Sequence, residues 1–180
     1  MHGIVFAELK KFTEANLGAD SWPKLLAEAG FESKVYLSVD EYPDSEVVAL
    51  VGAASRITGW TGDAVLTAFG EFLAKDLLGM YRGLLKPSWR ALDVIEHTES
   101  TIHKVVRLRN PGAKPPELVA ERVGPDEVIV NYSSKRRLCS LAKGLAVGIG
   151  KQFDETLVVS ESQCMHKGAE SCKLSIKKVS

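Results

Sequence analysis

Leu118-Val-Ala-Glu-Arg-Val-Gly-Pro-Asp-Glu-Val-Ile-Val-Asn-Tyr132 is where the pattern of the chain changes. Two short runs, Leu118–Val123 and Val128–Tyr132, flank Gly124-Pro125-Asp126, and they read as two strands around a tight turn. A second strand pair is expected at Thr156–Ser160 and Ser171–Val179, around Lys167-Gly168-Ala169. Residues 136–153 between the pairs return to helical spacing. The last third is therefore expected to be a small, mainly antiparallel sheet crossed by one long helix.

Upstream the chain reads helical. Residues 4–17 carry Val5, Leu9, Phe12 and Leu17 at helical spacing and stop at Gly18. Asp20 or Ser21 can cap a short helix bearing Trp22, Leu25, Leu26 and Ala29, with Pro23 tolerated in its first turn. Val35–Val39 reads as a short extended piece. Asp44 or Ser45 caps a helix ended by Gly59, and Thr61 opens another with Val65, Leu66, Phe69, Phe72, Leu73 and Leu77 inward. Pro87 breaks the chain, and Ser88 is expected to cap the helix that carries His103. Asn110–Pro116, with Pro111, Pro115 and Pro116, is the expected hinge. An N-terminal helical part packed on the sheet makes the fold class α+β. The chain divides on this reading into a helical part, 1–60, and a part of helices plus sheet, 61–180.

The 180 residues suit one domain, and 23 basic against 23 acidic residues leave a formal net charge of zero. No basic excess favours nucleic acid or an anionic membrane surface. The uncharged apolar runs are too short to span a bilayer. The start of the chain reaches Glu8 at once, unlike a secretory signal, so a cytoplasmic location is expected. Three cysteines, all in the last quarter, argue against a secreted disulfide framework and for thiols or a metal site.

The chemistry is concentrated in two places. On the helix after Ser88, the apolar stripe Leu92, Ile95, Ile102 and Val106 is bordered by His103, so the imidazole would face an apolar pocket. A histidine there can bind a porphyrin iron, or merely hydrogen-bond a backbone carbonyl. Further on, Tyr132-Ser-Ser-Lys-Arg136 runs from a strand into a helix. Alternate residues of an extended stretch share a side, so Tyr132, Ser134 and Arg136 can converge on one anion, two hydroxyls and a planar guanidinium suiting carboxylates. The same stretch would also serve as a solvated basic turn. Together, one imidazole and this cluster are what a pocket needs to hold iron through nitrogen and two propionates through donors.

The cysteines suggest a second site. Cys164 and Cys172 flank the Lys167-Gly168 turn and can face each other across a hairpin, with Cys139 on the first turn of the preceding helix. Three thiolates with Glu161 or His166 as fourth ligand suit tetrahedral zinc. Buried inert thiols, or a redox-active pair, are the alternatives.

The Met1-His-Gly-Ile-Val5 opening, Ala68-Phe-Gly70, Ile102-His103, Pro115-Pro116, Tyr132-Ser-Ser-Lys-Arg136 and Gly144-Leu-Ala-Val-Gly148 follow one another over nearly the whole chain. In order and spacing they resemble the haem–nitric oxide/oxygen binding (H-NOX) family, the haem domain of soluble guanylate cyclases and its bacterial relatives. The resemblance implies haem b (iron protoporphyrin IX) between the two parts of the fold. It implies His103 as iron ligand, Tyr132, Ser134 and Arg136 on the propionates, and Pro116 (or its neighbour Pro115) pressing on the porphyrin. The tyrosine that oxygen-binding members carry after the arginine is missing, and Leu141 takes its place. Val5, Leu9, Leu73 and Leu77 complete an apolar distal pocket. Such a pocket is expected to take NO and CO and to hold oxygen poorly, because bound oxygen gains from a hydrogen-bond donor. NO would weaken the bond to His103, and the shift would report to a separate partner of the kind the family uses, a histidine kinase or cyclic-di-GMP enzyme. Some bacterial members bind zinc through three cysteines and a histidine, and Glu161 stands where that histidine would be. The implied protein is a sensor and not an enzyme. The alternative is a module with a structural zinc site that binds a non-haem ligand or another protein.

Overall fold

The ring of His2 accepts the Ile4 N–H at 3.4 Å and so starts the first helix, α1 (Gly3–Leu17). This structure, a computed structural model, describes residues 1–110 and 112–180; Pro111, placed in the hinge from sequence, lies outside the described residues. α2 (Ser21–Glu28) and α3 (Asp44–Thr58) follow, and α3 ends on Gly59 at φ 73°, whose N–H donates to Ser55. Thr61 then caps α4 (Gly62–Tyr81), its hydroxyl accepting the Ala64 N–H at 3.1 Å. α1, α2, α3 and the first turns of α4 form one compact unit, residues 1–69. Its core includes Phe6, Leu25, Leu50 and Phe69, all fully buried. Each such side chain contributes roughly 1.5–3 kcal/mol of transfer free energy. The unit boundary falls inside α4, whose Phe69 packs on Phe12 of α1 with ring centroids 5.6 Å apart.

Val35–Val39 forms no strand. Tyr36 stacks on Phe6 at 4.3 Å between ring centroids, and its OH donates to buried Glu46 at 2.8 Å. Val35, Leu37 and Val39 are exposed. The segment is held by the Tyr36 ring and by the Leu37 N–H donating to the Tyr42 hydroxyl at 2.7 Å, not by a ladder.

Residues 70–180 form the second unit. Its first full helix, α5, runs Ala91–His97 and starts three residues after Ser88. Ser88 is not its cap. The Asp93 carboxylate accepts the Arg90 N–H at 2.8 Å, and buried Glu155 accepts the Ala91 N–H at 3.1 Å. The helix does not run unbroken to His103. Glu99–His103 is a wide π-turn in which the His103 N–H reaches Thr98 O at 3.0 Å, and α6 (Lys104–Arg109) resumes after it.

β1 (Glu117–Gly124), β2 (Glu127–Ser133), β3 (Leu157–Gln163) and β4 (Cys172–Lys178) form an antiparallel sheet in the order β1-β2-β4-β3. Tyr132, Val130 and Val128 of β2 lie opposite Cys172, Leu174 and Ile176 of β4, and all six are buried. α5 and α7 (Cys139–Gln152) pack on the sheet. The glycines of Ala68-Phe-Gly70 and Gly144-Leu-Ala-Val-Gly148 have a packing reason. A Cβ on Gly70 would run into the Leu141 carbonyl, and one on Gly148 into Glu71 and Ala74, so α4 and α7 cross backbone to backbone. The architecture is α+β.

Candidate functional site

A cavity of about 840 Å³, counting its open mouth, opens within residues 70–180. α4 lines it with Leu77 and Leu78, α5 with Val94 and Ile95, and the sheet with Leu118, Val130, Leu174 and Ile176. α7 contributes Ala142, Leu145, Ala146 and Ile149. Their i, i+3, i+4, i+7 spacing presents one apolar helix face. The polar side chains on the wall are Tyr81, Thr98, His103 and Tyr132, with no carboxylate among the lining residues.

His103 is placed there by the π-turn, with its side chain 14% exposed. Its Nδ1 lies 2.9 Å from Glu99 Oε2, which assigns the proton to Nδ1 and leaves Nε2 as the ring nitrogen with a lone pair. Burial pushes the imidazole pKa down, and it stays below the usual histidine value although the Glu99 carboxylate and the Pro116 carbonyl pull upward. The shift favours the neutral ring, the form a metal requires. Glu99 also accepts from Arg107 at 2.5 Å and from the Leu118 N–H of β1 at 3.2 Å. Burial works against its ionisation, but His103 and Arg107 hold its carboxyl below the usual glutamate range.

Of Tyr132, Ser134 and Arg136, Tyr132 alone is among the residues lining the cavity; Arg136 reaches Ser134 through its backbone N–H, and its guanidinium is turned to Lys114. Buried Tyr132 reaches the cavity wall, and its hydroxyl meets the Ser134 hydroxyl. Ser134 Oγ accepts the Arg136 N–H at 3.2 Å, and the Arg136 guanidinium donates to the Lys114 carbonyl at 2.5 Å. Burial raises the Tyr132 pKa, so the hydroxyl keeps its proton as a donor. Pro116 lines the same cavity. Of the expected distal residues, Leu77 is on the wall; Leu73 is buried and Leu141 half-buried, neither among the lining residues. Val5 and Leu9 belong to the first unit, Leu9 buried and Val5 half-buried.

These features fit an iron porphyrin. The wall is apolar, one imidazole enters it with a carboxylate behind, and hydroxyl donors stand at one edge. The sequence reading did not assign Tyr81, Thr98, Ala142, Leu145 or Glu99 to the site. Glu99 carried a signal in its i, i+4 spacing to His103.

The cysteines cluster as well. Cys139, Cys164 and Cys172 are buried, with Sγ–Sγ distances of 4.0 Å from Cys139 to Cys164 and 3.9 Å from Cys164 to Cys172. A Glu161 carboxylate oxygen and the three sulfurs all lie within 4.8 Å of one another. Glu161 Oε2 meets Lys143 at 3.4 Å, and its Oε1 is buried with no hydrogen-bond partner among the described residues. His166 is exposed and engages the Arg137 carbonyl at 2.8 Å, outside the group. Burial, then Cys172 and Cys164, push the Cys139 thiol up to about 12.

An α+β fold with a histidine on the wall of an apolar cavity is that of a domain able to bind an apolar group. The comparisons narrow this. The family model described as Haem-NO-binding matches residues 2–161. A crystal structure of an H-NOX protein from S. oneidensis in the Fe(II)NO ligation state shares 27% identity, covers 100% of both chains and superposes with a TM-score of 0.91. A mutant of the H-NOX protein from K. algicida, in its unliganded Fe(II) state, shares 26%, covering 100% of this chain and 97% of its own, at a TM-score of 0.88. Soluble guanylate cyclase gcy-32 of Caenorhabditis elegans is 25% identical over 172 residues, 88% of this chain and 24% of the cyclase. Soluble guanylate cyclase 89Db of Drosophila melanogaster is 21% identical over 168 residues, 91% of this chain and 25% of the cyclase. The chain spans about a quarter of the length of these curated relatives. The chain belongs to the haem–NO-binding (H-NOX) family of haem-based gas-sensor domains. Among the described residues no helix is long and apolar enough to cross a membrane.

Proposed function

We propose that this protein is a cytoplasmic sensor of nitric oxide, also binding CO, that discriminates against oxygen and signals to a separate protein without catalysing a reaction. The observation that carries the reading is the carboxylate-backed imidazole of His103 on the wall of a largely apolar cavity. A ferrous haem bound there supplies the iron at which the gas is captured. His103 holds that iron through Nε2. Tyr132, Ser134 and Arg136 hold the propionates, and Pro116 bears on the ring. The signal is release or shift of His103, carried along the helix that bears it to a histidine kinase or cyclic-di-GMP enzyme. Zinc at Cys139, Cys164, Cys172 and Glu161 is the second part of the proposal. The three close sulfurs and the unpartnered Glu161 oxygen support it, and His166 is turned elsewhere.

The test is absorption spectroscopy of protein expressed with ample haem. An intense Soret band is expected, shifting with NO and CO and little with oxygen. His103→Ala should lose haem and regain it with added imidazole. A colourless protein containing zinc and no iron would overturn the sensor reading and leave a zinc-stapled binding module.

A further inference from the structure

Glu99 does more than neighbour His103. It lies at the first position of the π-turn and meets three groups from three places: the ring of His103, the guanidinium of Arg107 and the backbone of Leu118. In an unbroken α-helix, positions eight apart such as 99 and 107 sit about 80° apart around the axis. The wide turn takes up part of that offset, and Glu99, His103 and Arg107 meet on one side. The division of labour between the oxygens is specific. Oε2 takes His103 Nδ1 at 2.9 Å and the Leu118 N–H at 3.2 Å, while Oε1 takes Arg107 at 2.5 Å. Leu118 belongs to β1, two residues after Pro116, and both line the cavity.

We propose that Glu99 is the positioning residue of the histidine ligand, fixing its tautomer and donor strength and tying its position to strand β1. The proposal rests on His103 being the haem ligand. A carboxylate accepting from Nδ1–H fixes the ring's orientation and makes Nε2 a stronger donor. Arg107 draws on the same carboxylate and moderates it. Because Oε2 also holds the Leu118 amide, a ring that moves away from the cavity changes the hydrogen bond that anchors the start of β1. The histidine helix and the sheet are thus joined through one side chain.

Resonance Raman spectroscopy of the ferrous, haem-loaded protein reads the donor strength as the iron–histidine stretching frequency. Glu99→Gln keeps an acceptor and removes the charge, so the frequency should fall and haem transfer to apomyoglobin should speed up about 10-fold. Arg107→Ala frees the carboxylate from its competitor, so the frequency should rise. Arg107 is 39% exposed, so this variant keeps the test decisive even if Glu99→Gln does not fold. Hydrogen exchange adds a readout on the strand: the Leu118 amide should exchange faster in Glu99→Ala than in the parent. A band that is present in the parent and lost in His103→Gly, but unmoved by both Glu99→Gln and Arg107→Ala, would overturn the role of Glu99 alone. A parent without that band, or one retaining it in His103→Gly, would overturn the ligand assignment beneath it.

Discussion

At the scale of single residues, the gas pocket proposed above would turn on which side chains of α7 face the cavity. Ala142 and Leu145 do, and Leu141 is not on the wall. A phenol introduced at 142 or 145 brings a hydrogen-bond donor to the cavity, whereas one at 141 does not. Ala142→Tyr or Leu145→Tyr should therefore slow oxygen loss from the ferrous protein, at an overpacking cost of about 1–3 kcal/mol. Leu141→Tyr should leave oxygen binding as in the parent. Flash photolysis with oxygen reads all three, and a stable oxygen complex in Leu141→Tyr alone would move the gas site along α7. Motif spacing singles out Leu141 by counting along the chain; Ala142 and Leu145 are the α7 residues nearest it that line the cavity.

At the scale of elements, two buried contacts set the frame around the cavity. α4 and α7 cross where Gly70 and Gly148 leave no room for a side chain. Gly148→Ala should push them apart and cost about 1–3 kcal/mol in urea denaturation, despite the better helix propensity of alanine. The second contact is Glu155, which ties the start of α5 to β4 by accepting from Ala91, Arg90 and Lys178. Burial alone would raise its pKa, but Lys178, the Ala91 N–H and Arg90 outweigh that and hold it below the usual glutamate value. A carboxyl depressed in the folded state stabilises the protein above its unfolded pKa, and that contribution fades as pH falls through the folded value. Glu155→Gln should thus lower the melting temperature near neutral pH, with the gap to the parent narrowing below about pH 4. A gap independent of pH would show that charge is not what Glu155 contributes. The sequence pointed to a cap for this helix at Ser88, because capping signals are sought next door; the actual partners include a residue 64 positions away.

At the scale of the whole molecule, the three cysteines join α7, the turn after β3, and β4. Their burial and mutual repulsion as thiolates leave a cost that a divalent cation would cancel. Elemental analysis should find one zinc per chain, and chelation should lower the melting temperature and expose the thiols to reagents. Glu161→Ala should weaken zinc retention, while His166→Ala should not. A chain without metal, its melting unaffected by chelator, would leave the cysteines as plain core. The outline of all this was open to sequence reasoning. Helical spacing, the Gly-Pro-Asp turn, His103, Tyr132-Ser-Ser-Lys-Arg136 and the cysteine spacing are local patterns, and local patterns follow from side-chain periodicity and turn chemistry along the chain. The π-turn at Glu99–His103, the division of the units within α4, the choice of Glu161 over His166 in the cysteine group, and the link from Glu99 to Leu118 came only with the tertiary structure. Each is settled by which distant groups are forced together when the core packs, and no spacing along the chain encodes that.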